Sequence, residues 1–184
     1  MAVEREKLPE LIYLEDYNGD YKSFINAVYA VFERDFVKSQ PEFGGQQLRH
    51  KKHPAFQDRP YTFYHMTHKG EIESERTPDL RRCERMPWAR PTIEQTETLG
   101  IKFWEQERDG NHRVCIWLEV DDGDNYFIIL DVRKTFVLLW TAFHADYHHQ
   151  IRKKQKEYEE WKERVCNKNY TPAELVMDIM SRIQ

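Results

Sequence analysis

Cysteine and glycine are scarce, with three and seven respectively in 184 residues. Cys83, Cys115 and Cys166 are odd in number and contain no CxxC pair, which excludes a disulfide framework and a cysteine zinc site and predicts free thiols. Long apolar runs are also missing. Runs such as Phe136 to Trp140 fall far short of the roughly 18 residues of a membrane span. Met1 to Leu11 is charged where a signal peptide would be apolar, so a cytoplasmic protein with no membrane partner is expected. There is no internal repeat and no low-complexity segment. What is present is a core: 40% of residues are hydrophobic and 14% aromatic, which excludes intrinsic disorder for most of the chain. The length predicts one domain over 1–184, with an extension at 1–19, a central unit at 20–145 and C-terminal helices at 146–184.

The formal net charge of -4 hides an uneven distribution. Residues 49–90 hold ten Lys and Arg against six acids, together with His50, His53, His65 and His68, whereas residues 91–130 hold three against nine. The basic block is the candidate polyanion-facing surface.

Tyr21, Phe24, Ile25, Val28, Phe32 and Phe36 recur every three or four residues, the stripe of an amphipathic helix over 21–37. Residues 38–60 have no period and five Pro or Gly, and read as a loop. Tyr61 to Met66 is aromatic and reads as a short strand. Thr77-Pro78-Asp79 opens a short helix closed by Pro87, with Leu80, Cys83 and Met86 facing the core. Four β-rich runs follow (101–107, 113–120, 126–131, 136–141), separated by turns short enough for hairpins. Two helices end the chain, over His148–Arg164 and from Thr171 through Ile183. The expected fold class is α+β: N-terminal helices, a four-stranded antiparallel meander and C-terminal helices.

The stretch from Tyr64 to Arg85 carries the most chemistry. On a helix Arg81, Arg82 and Arg85 project beside one another, and like charges so placed call for an anion or for interspersed acids; locally there are only Asp79 and Glu84. Cleaving RNA without metal needs a base for the ribose 2′-hydroxyl, an acid for the 5′ oxygen and fixed cations for the phosphorane. His65 is the expected proton carrier and His68 its competitor. His144 and His148 lie four apart and could share a helix face to bind zinc, but no HExxH glutamate accompanies them. The basic run Arg152, Lys153, Lys154 and Lys156 either touches a phosphate backbone or is the solvated face of a helix also rich in Glu.

In order, FYHMTHKG, RTPDLRRCERMPW, IKFWEQER, YFIILDVRKTFVLLWTAF and KEYEEW resemble the phage- and mobile-element-associated nucleases of the barnase, EndoU, colicin and RelE-like superfamily. The similarity spans about residues 24 to 160. It implies N-terminal helices on a four-stranded antiparallel sheet, and a metal-independent endoribonuclease without cofactor, acting on tRNA or mRNA as a toxin or phage-conflict effector. It also implies an antitoxin or immunity protein as partner. Carried over, His65 is the acid or base, Arg82 and Arg85 stabilise the phosphorane, Thr141 is the last-strand hydroxyl and Arg133 holds phosphate. Thr67, His68, Lys69, Arg76 and Arg81 complete the expected RNA-binding set. The alternative is a non-catalytic module of the same fold that binds RNA or a protein.

Overall fold

The computed structural model describes residues 1–183. Helix α1 (Tyr21–Phe32) starts at Asp20, whose carboxylate accepts from the Ser23 N–H, and continues through a π-helical turn over 33–37. The hairpin β1 (Glu42–Phe43) and β2 (Gln46–His50) follows. Next come α2 (Tyr61–Thr67), the two-residue pair β3 (His68–Lys69) and β4 (Thr77–Pro78), α3 (Leu80–Glu84) and α4 (Met86–Glu94). Strands β5 (Lys102–Arg108), β6 (Asn111–Glu119), β7 (Asn125–Val132) and β8 (Val137–His144) precede α5 (His148–Arg164) and α6 (Pro172–Arg182).

The chain is α+β, but its sheet is larger than the four-stranded antiparallel unit expected. It has six strands in the order β1-β2-β8-β7-β6-β5 and is mixed, because β2 runs parallel to β8 through Leu48 to His50 against Val137 to Leu139. The stretch 38–60 read as loop therefore contributes two strands. Gly44 turns the β1–β2 hairpin at φ 59, where an added Cβ would lie 2.7 Å from the Pro172 carbonyl oxygen, so only glycine lets α6 sit this close.

Three further expectations differ from the fold. Tyr61 to Met66 is helix, not strand. Its aromatic rings are spaced for a helix: Tyr61 lies over His65 and Tyr64 over His68, each pair with centroids 4.4 Å apart, and such i, i+4 contacts form only on one helix face. Pro87 does not end a helix but sits in the first turn of α4, where its missing N–H costs nothing, and Leu80 is exposed rather than core-facing.

Side chains alternate across the sheet. One face presents Val114, Ile116 and Leu118 beside Leu130, Ile128 and Tyr126 and packs on helices, with Trp88 of α4 against Tyr126 and Arg182 of α6 donating to Glu105 at 2.8 Å. The other face is ruled in rows: Gln106, Arg113 and Asp131; Trp104, Cys115, Ile129 and Thr141; Lys102, Trp117, Phe127 and Phe143. Helix α5 covers only the β5 side of that face. Tyr158 packs edge-on to Trp104 at 5.7 Å, and Gln106 donates to Glu157 at 3.0 Å. Beyond the end of β2, α2 flanks β8: the Thr62 hydroxyl donates to the Leu139 carbonyl at 3.3 Å and the Thr141 hydroxyl to the His65 carbonyl at 2.9 Å. Among the described residues no helix is long and apolar enough to cross a membrane.

Candidate functional site: a basic cleft beside the sheet

The arginines and histidines expected to act together are spent on holding the fold. Arg82 donates to the carbonyls of His65 and His68 at 3.3 and 3.1 Å and lies 3.6 Å from Asp79, so it ties α3 to the end of α2. Arg85 is 4% exposed and donates to Asp124 at 2.7 Å and to Glu84 and the Arg81 carbonyl at 3.1 Å each. Arg81 pairs with Asp146 at 3.5 Å. The three guanidiniums therefore diverge instead of forming one anion site. The buried Thr67 hydroxyl donates to the Phe63 carbonyl at 2.7 Å, Lys69 lies 3.5 Å from Asp79, and Arg133 pairs with Asp131. His144 ends β8 and His148 begins α5, so they share no helix face; the His144 ring instead bridges Asp124 and Asp146 at 3.0 and 3.1 Å.

His65 is packed between Tyr61 and Trp140, and its side chain is 8% exposed. Burial, then the Arg76 charge, pull its pKa down from 6.5 to about 4; the half-exposed Glu73 carboxylate 3.8 Å away does not offset them. Neutral and with a buried Nε2 that has no hydrogen-bond partner, it is placed as packing rather than as a proton carrier. This has a consequence for acid stability. Between pH 6.5 and about 4 the unfolded chain takes a proton that folded His65 refuses, so stability present above pH 6.5 is lost as the pH falls through that window. The loss is on the order of 3 kcal/mol from this residue. Urea unfolding at pH 7 and pH 4.5 is expected to give a smaller acid loss for His65→Gln than for the wild type; equal losses would contradict a neutral buried imidazole.

Thr141 is the one residue of the expected catalytic set that reaches a cleft. This cleft, of about 420 Å³, lies on the sheet face between β8 and the first turns of α5 and is bordered by Arg108, Arg113, Trp140, Thr141, His149 and Lys153. A β-bulge builds its floor. The β7–β8 register shifts between Ile129 and Leu130, pairing them with Thr141 and Leu139, which leaves Trp140 as the extra residue. Trp140 and Thr141, consecutive in sequence, thus both line the cleft.

The charge in the cleft is unbalanced. Arg113 is half-buried, has neither an ion pair nor a hydrogen bond among the described residues, and keeps a buried, unpartnered Nε. Its guanidinium lies 5.1 Å from the centroid of the Trp140 ring. Burial lowers its pKa, with Asp131 on the neighbouring strand acting the other way, but an arginine remains charged at any working pH. His149 and Lys153, four apart on α5, share one face of its N-terminal half, where the helix dipole also favours an anion. Among the described residues Glu157 is the only acid lining the cleft, and it is already held by Lys154 at 2.7 Å and by Gln106. Since the Thr141 proton is committed to the His65 carbonyl, its oxygen is left to accept.

Of the residues bordering the cleft, Arg113, Trp140 and His149 stand outside the sets expected from the sequence, and Lys153 belongs to the basic run read either as a phosphate contact or as a solvated helix face. A signal for two of them is in the sequence, the i, i+4 spacing of His149 and Lys153; for Arg113 it is a cation inside an otherwise apolar strand, RVCIWLEV. Comparison with family models, with curated proteins and with solved structures returns no match to this chain.

Proposed function

We propose that the protein is a metal-independent endoribonuclease whose site is the cleft between the sheet and α5, not the region around His65. The observation that carries this reading is the unpaired, half-buried Arg113 facing a cleft that also gathers His149 and Lys153 beside an aromatic floor. A guanidinium with neither an ion pair nor a hydrogen bond in such a place is met by phosphate, whose oxygens match its donor fork. Trp140 supplies a surface on which a base can stack, the usual way single strands are held without reading sequence. His149, exposed at the start of α5, takes the proton of the ribose 2′-hydroxyl. Its oxygen then attacks phosphorus in line with the departing 5′ oxygen. Arg113 and Lys153 hold the charge of the phosphorane, and the Lys153 ammonium, one helical turn from His149, supplies the proton to the leaving oxygen. The products are a 2′,3′-cyclic phosphate and a 5′-hydroxyl. The motif-order resemblance to the barnase and RelE-like nucleases supports the activity, and of the residues it carries over Thr141 lines the cleft.

The mechanism makes the 2′-hydroxyl indispensable. A single-stranded oligoribonucleotide is expected to be cut, and its fully 2′-O-methylated copy to bind but stay intact. Cutting of the methylated strand would overturn attack by the 2′ oxygen.

A further inference from the structure

A second pocket, on the far side of α2, matches a ligand that nothing above assigns. It has a volume of about 240 Å³ and lies among α1, the turn at 56–59, α2 and Arg76. Its wall is aromatic. Phe56 packs on Tyr64 at 4.6 Å and lies 6.2 Å from His68, while Tyr21 of α1 also borders the pocket.

The turn that presents Phe56 is tightly built. Phe56 and Arg59 exchange two backbone hydrogen bonds of 3.0 Å, and Gln57 and Asp58 between them both have positive φ, 49 and 60. Neither is glycine, so the turn holds a backbone conformation that L side chains rarely adopt. It fixes Phe56, 46% exposed, beside Arg59 at the pocket mouth.

The pocket also holds cations without anions. Arg76 is half-buried, has neither an ion pair nor a hydrogen bond among the described residues, and its Nε is buried without a partner. Arg59 has no carboxylate partner among the described residues; its guanidinium donates to Asn26 and lies over the rings of Tyr29 and Phe63. His68 does not add to this charge, because burial lowers its pKa. The Thr67 hydroxyl gives its proton to the Phe63 carbonyl, so the His68 Nδ1–H donates to the Thr67 oxygen at 2.9 Å and its Nε2 is the acceptor.

An aromatic wall, a guanidinium in want of an anion and a neutral ring acceptor together fit one chemistry, a planar base joined to a phosphate. We propose that this pocket binds a nucleotide, with the base against Phe56 and Tyr64 and the phosphate on Arg76. The nucleotide is either free or one unit of an RNA strand, and in both cases the recognition is the same. Arg76 and His68, which the sequence places with the phosphate-binding residues, thereby serve a site separate from the cleft.

The test is calorimetric titration of the wild-type protein, Arg76→Gln and Phe56→Leu with 5′-UMP, 5′-AMP, uridine, adenosine, inorganic phosphate and a 2′-O-methyl pentanucleotide. Both variants change exposed or half-exposed side chains, and thermal unfolding checks that they remain folded. A nucleotide or the pentanucleotide is expected to bind at least tenfold tighter than phosphate or nucleoside alone. Arg76→Gln should weaken it about tenfold or more, the scale of one charge-assisted phosphate contact, and Phe56→Leu severalfold. Tight binding by the mononucleotide identifies a free nucleotide as the occupant; tight binding confined to the pentanucleotide and weakened by Arg76→Gln identifies a unit of a strand, whereas pentanucleotide binding indifferent to Arg76→Gln belongs to the cleft and overturns the assignment. Nucleotide affinity no better than that of phosphate, or unchanged in Arg76→Gln, would overturn the assignment. None of these ligands needs to be cut, so the outcome stands apart from whether the cleft cleaves RNA.

Discussion

Asp124→Ala is expected to destabilise the protein by about 3–5 kcal/mol, the usual consequence of leaving a buried charge without its partner. Asp124 sits in the turn between β6 and β7, and its two carboxylate oxygens serve different elements. Oδ2 accepts from Arg85 at 2.7 Å, at the joint of α3 and α4, and Oδ1 faces His144 Nε2 at 3.0 Å, at the end of β8. Those contacts, first with His144 and then with Arg85, hold the Asp124 carboxyl well below the usual carboxylate range. Without Asp124, Arg85 remains in the interior with Glu84 as its one remaining carboxylate partner among the described residues. For a chain of this length a loss of that size lowers the melting temperature by roughly 10 °C. Replacing both partners by apolar residues, as in Arg85→Met with Asp124→Leu, should recover part of the loss, because the buried guanidinium leaves together with Asp124. Urea unfolding of the single and double variants checks this. A loss below about 1 kcal/mol for Asp124→Ala would mean that the pair is solvated and not a tie between helix and sheet.

The same ion pair marks where sequence reading stops. On its own the RTPDLRRCER segment offers only Asp79 and Glu84 against three arginines, and an excess of positive charge reads as an anion site. The neutralising group, Asp124, lies 39 residues away and reaches Arg85 only through the fold. Local patterns were legible. The stripe of Phe24, Ile25, Val28 and Phe32 makes α1, the Thr171 and Glu174 capping box opens α6, and the four β-rich runs fall on β5 to β8. Long-range pairings were not. Strand β2 is polar, QQLRH, and is a strand because its backbone bonds to Val137 through Leu139 in the parallel register. The aromatic run at 61–66 has strand propensity, yet Tyr61 packed tilted against His65 and Tyr64 against His68 are i, i+4 contacts that favour helix over that propensity.

The site was half legible for the same reason. Thr141 is named by the resemblance, as the last-strand hydroxyl, whereas its neighbour Trp140 turns to the same side only because of a bulge that no local pattern announces. Lys153 belongs to a run that reads equally as a phosphate contact or as a solvated helix face, and only the packing of α5 across the sheet brings it and His149 to the same cleft as Arg113.

The largest effect on activity is expected at His149. Loss of the group that takes the 2′ proton should lower cleavage by about 100-fold or more, within the range of general acid–base catalysis. Arg113→Gln is expected to cost a similar factor through the phosphorane, and Arg113→Lys to restore only part of it, since an ammonium lacks the guanidinium fork. Arg113→Gln should also flatten the salt dependence of binding to 2′-O-methyl RNA by the equivalent of about one phosphate contact. His65→Gln, by contrast, should leave cleavage at pH 7 near the wild-type rate, because His65 packs beside the cleft and not within it. The decisive measurement is therefore incubation of wild type, His149→Ala and His65→Gln with single-stranded RNA in EDTA, followed by analysis of the fragment ends. The account predicts cyclic-phosphate ends from wild type and His65→Gln and almost none from His149→Ala. Intact RNA with the wild type, or cleavage that persists in His149→Ala and disappears in His65→Gln, would contradict it.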